Sequence, residues 1–214
     1  IYVDPERKAL VRSLDDIVQI PPVILAVTDD VIDGFGDGSL SRPEEPMWAL
    51  GGCRLFCPKL NVSWKAPLSG PLQTITRAEI VPLLHLLECT GAVPVRYFGD
   101  NKEVLSQARA IWRDGAIRRL GKSPNHDLWL KVLDVKLRHP QKTLTLVKIK
   151  SHEDAPEDVD SFEFYMWYGN DAADTLAIDG RNMHDHDRWE AMRAKWISKV
   201  HRMSVWASFV AECQ

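Results

Sequence analysis

No run of eighteen apolar residues occurs anywhere in the 214-residue sequence, so no membrane-spanning helix is expected. The first residues, IYVDPERKALV, lack a basic stretch followed by an apolar one, so they do not read as a secretion signal. Cysteine is scarce: Cys53, Cys57, Cys89 and Cys213 form no dense framework, which argues against a disulfide-stapled secreted domain. Cys53 and Cys57 share one face of an apolar stretch without two further soft ligands nearby in sequence. Buried free thiols are expected there in preference to a zinc site or a disulfide. Internal repeats and low-complexity tracts are missing as well, which excludes solenoids and disordered linkers. An intracellular protein, nuclear or cytoplasmic, is the expectation.

What remains is an ordinary globular composition, with 45% hydrophobic and 27% charged residues. The net charge of −3 weighs mildly against a nucleic-acid partner. Its distribution matters more. Residues 101–152 hold twelve Lys or Arg against four Asp or Glu, a basic segment within an otherwise acidic chain. That pattern suits a phosphate-binding face, and equally a solvated helix surface.

Periodicity predicts a leader helix over 5–19, ended by Pro21 and Pro22. Strands are predicted within 23–39, 47–56 and 60–64, as an antiparallel meander, with turn chemistry at Pro58, Lys59 and Asn61. A helix over 74–91 follows, with Thr76 and Glu79 spaced as a capping box. The remaining elements are a strand at 93–99, helices at 101–115 and 125–139, a strand at 143–150, and helices at 169–180 and 185–212. This order describes an α/β domain with one mixed sheet and helices on its faces. The expected organisation is a leader (1–22), a core domain (23–180) and a C-terminal helical extension (181–214).

Four acids fall at element boundaries: Asp37, Glu79, Asp100 and Asp174. Boundaries of this kind are where α/β sheets build sites. Converged carboxylates repel and call for a cation, and hard oxygen ligands suit Mg²⁺ or Mn²⁺. Spacing alone does not single out this set among thirty Asp and Glu residues. Each acid also has a plainer explanation. Glu79 would complete the capping box, Asp100 would cap a helix, and Asp174 would be an exposed helix acid.

The motifs in order carry more. FGDGSLSRPEEPMWALGG, QTITRAEI, YFGDNKEV and VKIKSH followed by YGNDAADTLA span roughly residues 24–180. Together they resemble the type 1 ribonuclease H family, in particular the RNase H domains of non-LTR (LINE-type) retroelements. The resemblance implies a mixed five-stranded sheet in the order 3-2-1-4-5. It also implies metal-dependent hydrolysis of the RNA strand of RNA–DNA hybrids with two Mg²⁺ or Mn²⁺ ions. Asp37, Glu79, Asp100 and Asp174 would be the ligands, and His152 would assist proton transfer or product release. Ser39, Asn101, Arg113, Arg118, Arg119, Lys122, Lys150 and Asn170 would face the nucleic acid. A fused reverse transcriptase or other retroelement domains would be natural neighbours. The other reading is a degenerate module that binds nucleic acid or a protein without catalysis.

Three features depart from the family pattern. Gly36 and Gly99 stand where Thr often precedes each Asp, and Asn101 stands where Ser is common. His152 and Asp174 are separated by a long acidic loop. Asp29, in AVTDD, competes with Asp37 for the first position, and the DGS motif favours Asp37. Trp112 and Trp129 are expected in the core, and the HDHD run at 184–187 at a solvated helix start.

Overall fold

A computed structural model describes residues 31–70, 72–115, 123–151 and 153–212, with side chains up to 208. The predicted leader helix and Asp29 lie outside the described residues.

Strand β1 (Ile32–Ser41) lies at the centre of a five-stranded sheet. It pairs antiparallel with β2 (Leu50–Cys57), which pairs antiparallel with β3 (Val62–Pro67). The β2–β3 connection is a 3₁₀ turn, Pro58–Leu60, closed by Asn61 at φ 50°, in keeping with the turn chemistry of those residues. On its other side β1 pairs parallel with β4 (Val95–Gly99), and β4 with β5 (Leu144–Lys148). The order β3-β2-β1-β4-β5 is the expected 3-2-1-4-5. Parallel neighbours need crossovers. Helix α1 (Ile75–Cys89) supplies the first, and α2 (Lys102–Asp114) with α3 (His126–Arg138) the second.

Helix α1 covers one face of the sheet. Leu83, Leu86 and Leu87 are buried there with Leu55 and Tyr97, and α2 and α3 add Leu105, Ile111, Trp129 and Val132 to the same core. Each such aliphatic side chain stabilises by about 1.5–3 kcal/mol relative to exposure. Trp129 is buried, and half-buried Trp112 donates from Nε1 to the Lys142 carbonyl at 3.3 Å, so both are core residues. Cys53 and Cys57 are buried free thiols.

The opposite face is covered by α4 (Phe162–Asn182). This helix begins seven residues before the predicted start, because Ser161 caps it by accepting from the Phe164 N–H at 3.0 Å. The aromatic run FEFYMWY is therefore helical. It packs on Phe35 and Phe98, whose rings stack at 4.3 Å. A stripe of small residues, Gly169, Ala173, Ala177 and Gly180, lets α4 lie close to the sheet.

The last helix, α5 (His186–Glu212), docks through Trp189. That side chain is buried against Trp48 and Leu50, and its Nε1 donates to the Trp48 carbonyl at 2.9 Å. Arg193 adds a bidentate pair with Glu45. Residues of the HDHD run serve this junction: His184 Nε2 lies 2.8 Å from the Gly51 carbonyl, and Asp185 accepts from the Arg188 N–H. Among the described residues no helix is long and apolar enough to cross a membrane.

Candidate active site

The β1 neighbourhood changes from antiparallel to parallel pairing, and carboxylates gather at the carboxyl ends of β1 and β4. Asp37 lies within β1, on the α4 face, rather than at the strand's very end. Asp100 follows Gly99 of β4. Glu79 projects from the first turns of α1, whose N-cap is Thr74; its Oγ1 accepts from the Arg77 N–H at 3.2 Å. The predicted Thr76–Glu79 capping box does not form, because the helix starts two residues earlier. Glu79 is thereby released from a capping role. Asp100 has none either, since Asn101 Oδ1 caps α2 by accepting from the Glu103 and Val104 N–H groups, each at 3.1 Å.

One carboxylate oxygen from each of Asp37, Glu79 and Asp100 lies within 4.8 Å of the others. Asp174, from α4, is hydrogen-bonded to Asp37 and completes a cluster of four. At such separations each pair of charges repels by about 3 kcal/mol at an effective dielectric constant of ~20. Protonation shows the result. Burial, followed by the charge of Asp174, pushes the Asp37 carboxyl up to about 8. Burial, followed by the charges of Asp37 and Asp100, holds Glu79 well above the carboxylate range. Backbone hydrogen bonds from Gly38 to both carboxylates act the other way. Close approach of α1 to β1 depends on this glycine: a Cβ there would lie 2.7 Å from Ala78 Cβ and 3.0 Å from the Glu79 nitrogen.

Tyr97 accounts for the glycines that stand before Asp37 and Asp100. A Cβ on Gly36 would lie 2.1 Å from its hydroxyl oxygen, and one on Gly99 would lie 3.0 Å from its ring. Tyr97 is buried with its hydroxyl 3.4 Å from the Glu79 carbonyl. One aromatic ring fills the space that side chains at 36 and 99 would otherwise take.

Arg54 stands opposite Asp37 in the β1–β2 register and is 0% exposed. Asp37, Asp174 and Asp179 act on it electrostatically, while burial lowers it to about 10. Its guanidinium lies 5.5 Å from the Phe56 ring centroid. Sequence reasoning passed over this residue. The available signal was a lone charge inside the apolar strand GGCRLFC, because a buried charge needs an electrostatic reason to be there.

Other expected site residues are more scattered. Ser39, two residues beyond Asp37, accepts from Arg181 Nη1 at 3.1 Å. Half-buried Asn170 lies one helical turn before Asp174 on α4. Exposed Arg113 pairs with Asp114, and exposed Lys150 pairs with Glu153 at 2.7 Å. His152, Arg118, Arg119 and Lys122 lie outside the described residues.

The sequence matches no family model and no curated protein. The fold does match solved structures. The RNase H domain of PFV (prototype foamy virus) aligns over 71% of this chain and 94% of its own, with TM-score 0.53 and 19% identity. LC9-RNase H1, described as a type 1 RNase H with the type 2 active-site motif, aligns over 74% of this chain and 75% of its own. Its TM-score is 0.52 and its identity 13%. The chain therefore has a ribonuclease H fold, with an acidic triad where β1, α1 and β4 converge.

Proposed function

We propose that this chain is a metal-dependent endoribonuclease that hydrolyses the RNA strand of RNA–DNA hybrids, derived from a retroelement of the LINE type. The observation that carries the reading is the meeting of Asp37, Glu79 and Asp100 within 4.8 Å inside a ribonuclease H fold, with Asp174 bonded to Asp37. Motif order along the chain supports it independently. A reverse transcriptase or other retroelement domain is the proposed fused neighbour.

The donor set fits a hard divalent cation. It consists of carboxylate oxygens, part-buried and mutually repelling, so that protons stand in for positive charge. Asp37, Glu79, Asp100 and Asp174 would hold Mg²⁺ or Mn²⁺, two ions by family resemblance. When bound, such ions supply positive charge at the scissile phosphate and acidify water.

The protein's own contribution is positional. The Gly38 backbone N–H is hydrogen-bonded to the Asp37 and Glu79 carboxylates and helps fix both. Asp37 and Asp174 share a hydrogen bond, and its proton must leave when a cation arrives. In this reading Ser39, Asn101 and Asn170 line the substrate path. Arg113, Arg118, Arg119, Lys122 and Lys150 grip phosphates, and His152 moves a proton near the leaving group. The hybrid would be read through 2′-hydroxyls and backbone shape rather than sequence.

A labelled RNA annealed to DNA tests the proposal. Wild type with Mg²⁺ or Mn²⁺ should cut internally, leaving 5′-phosphate and 3′-hydroxyl ends, and Asp100→Asn should lose at least about 10²-fold activity. No cleavage with either ion, or cleavage undiminished in Asp100→Asn, would favour the non-catalytic module instead.

A further inference from the structure

Arg54 has an arrangement that packing does not explain. It is wholly buried, and its Nε, Nη1 and Nη2 atoms have no hydrogen-bond partner among the described residues. Filling that volume with an apolar side chain would avoid the desolvation of a guanidinium. The charges acting on it are those of Asp37, Asp174 and Asp179. Asp179 is already engaged with Lys65 at 2.8 Å. That leaves Asp37 and Asp174 as the carboxylates Arg54 serves. Strand register pairs the Arg54 and Asp37 backbones directly, and the guanidinium lies over the Phe56 ring, 5.5 Å from its centroid.

We propose that Arg54 is a resident counter-cation on the Asp37–Asp174 side of the carboxylate cluster, and that it holds down the cluster's affinity for divalent cations. The inference rests on the metal-site reading above. Arg54 lowers the cost of gathering four acids before any ion binds. For the same reason it repels an arriving ion. The sign follows from charge: Arg54 carries one fixed positive charge beside the carboxylates, and an arriving divalent cation brings two more. Removing a fixed positive charge therefore favours the ion.

Isothermal titration of the full chain with Mg²⁺ at pH 7.5 tests this. Arg54→Met and Arg54→Gln, which are neutral, should bind Mg²⁺ at least about tenfold more tightly than wild type. Arg54→Lys, which keeps the charge, should stay within about threefold of wild type. Equal affinity in wild type and both neutral variants overturns the proposal while leaving the metal site intact. Failure of the wild type to bind Mg²⁺ at all, with a trace matching Asp100→Asn, removes the metal site itself and this inference with it. Should the neutral variants not fold, the Arg54 Nε–Hε signal of wild type is followed by NMR during the same titration. It should shift in step with Mg²⁺ uptake, and an unmoved signal overturns the proposal.

Discussion

Asp33 and Asp37 lie four residues apart on the same face of β1. They are 1% and 8% exposed, yet their surroundings are opposite in sign. Asp33 accepts two hydrogen bonds from Arg96, at 2.9 and 2.8 Å, and a third from the Tyr165 hydroxyl at 2.8 Å. Lys59 stands 3.9 Å away. Asp37 faces Glu79, Asp100 and Asp174, with Arg54 as the nearby positive charge. Burial is therefore a poor guide to role. The partners decide whether a buried carboxylate ties the fold together or stands among repelling charges.

Substitution should separate the two most widely at Asp33. Asp33→Asn removes the charge that pairs with Arg96, whose side chain is part-exposed, and should destabilise by about 2–3 kcal/mol in urea unfolding. A loss comparable to an exposed pair would undo the contrast. Metal-free stability against pH comes next. The Asp37 carboxyl is raised from 3.8 to about 8 and that of Glu79 is raised too, so the folded state binds more protons than the unfolded one. Their contribution is complete below about pH 4 and is lost as pH rises towards 8. The slope reaches about 1.4 kcal/mol per pH unit for each proton held. Stability rising over that window without metal would contradict the repulsion.

Gly38→Ala should cost about 2 kcal/mol, because the new methyl meets Ala78 and the start of α1. It should also weaken Mg²⁺ binding by moving Glu79, and unchanged binding would show that α1 position is not critical. Asp37→Asn, unlike Asp33→Asn, should stabilise the metal-free protein by about 1 kcal/mol through relieved repulsion. Thermal denaturation in EDTA reads the sign. Tyr97→Phe is the smallest effect, under about 1 kcal/mol, since the hydroxyl contact at 3.4 Å is long.

Much of this contrast was only half legible in the sequence. Strand order followed from the motif resemblance, and element order from periodicity, because α1 and β4 have strong apolar patterns. The four acids of the site were likewise named from motifs. Asp33 was passed over, because nothing in IDGFGDG says that its partner will be Arg96, 63 positions away. The α4 start was missed because FEFYMWY is a largely aromatic, apolar run broken only by Glu163, with too little apolar–polar alternation to show a helical period. Thr74 rather than Thr76 as the cap was a two-residue ambiguity that only backbone geometry resolves. The glycines at 36 and 99 read as departures until Tyr97, adjacent to both in space, explained them.

The most direct measurement is the thermal midpoint of wild type and Asp100→Asn, each with EDTA and with millimolar Mg²⁺. A carboxylate cluster built for cations predicts a clear Mg²⁺-dependent rise in wild type. It also predicts little rise in the variant, and a higher midpoint for the variant in EDTA. Identical midpoints for both proteins in both conditions would mean that these acids neither repel one another nor bind an ion.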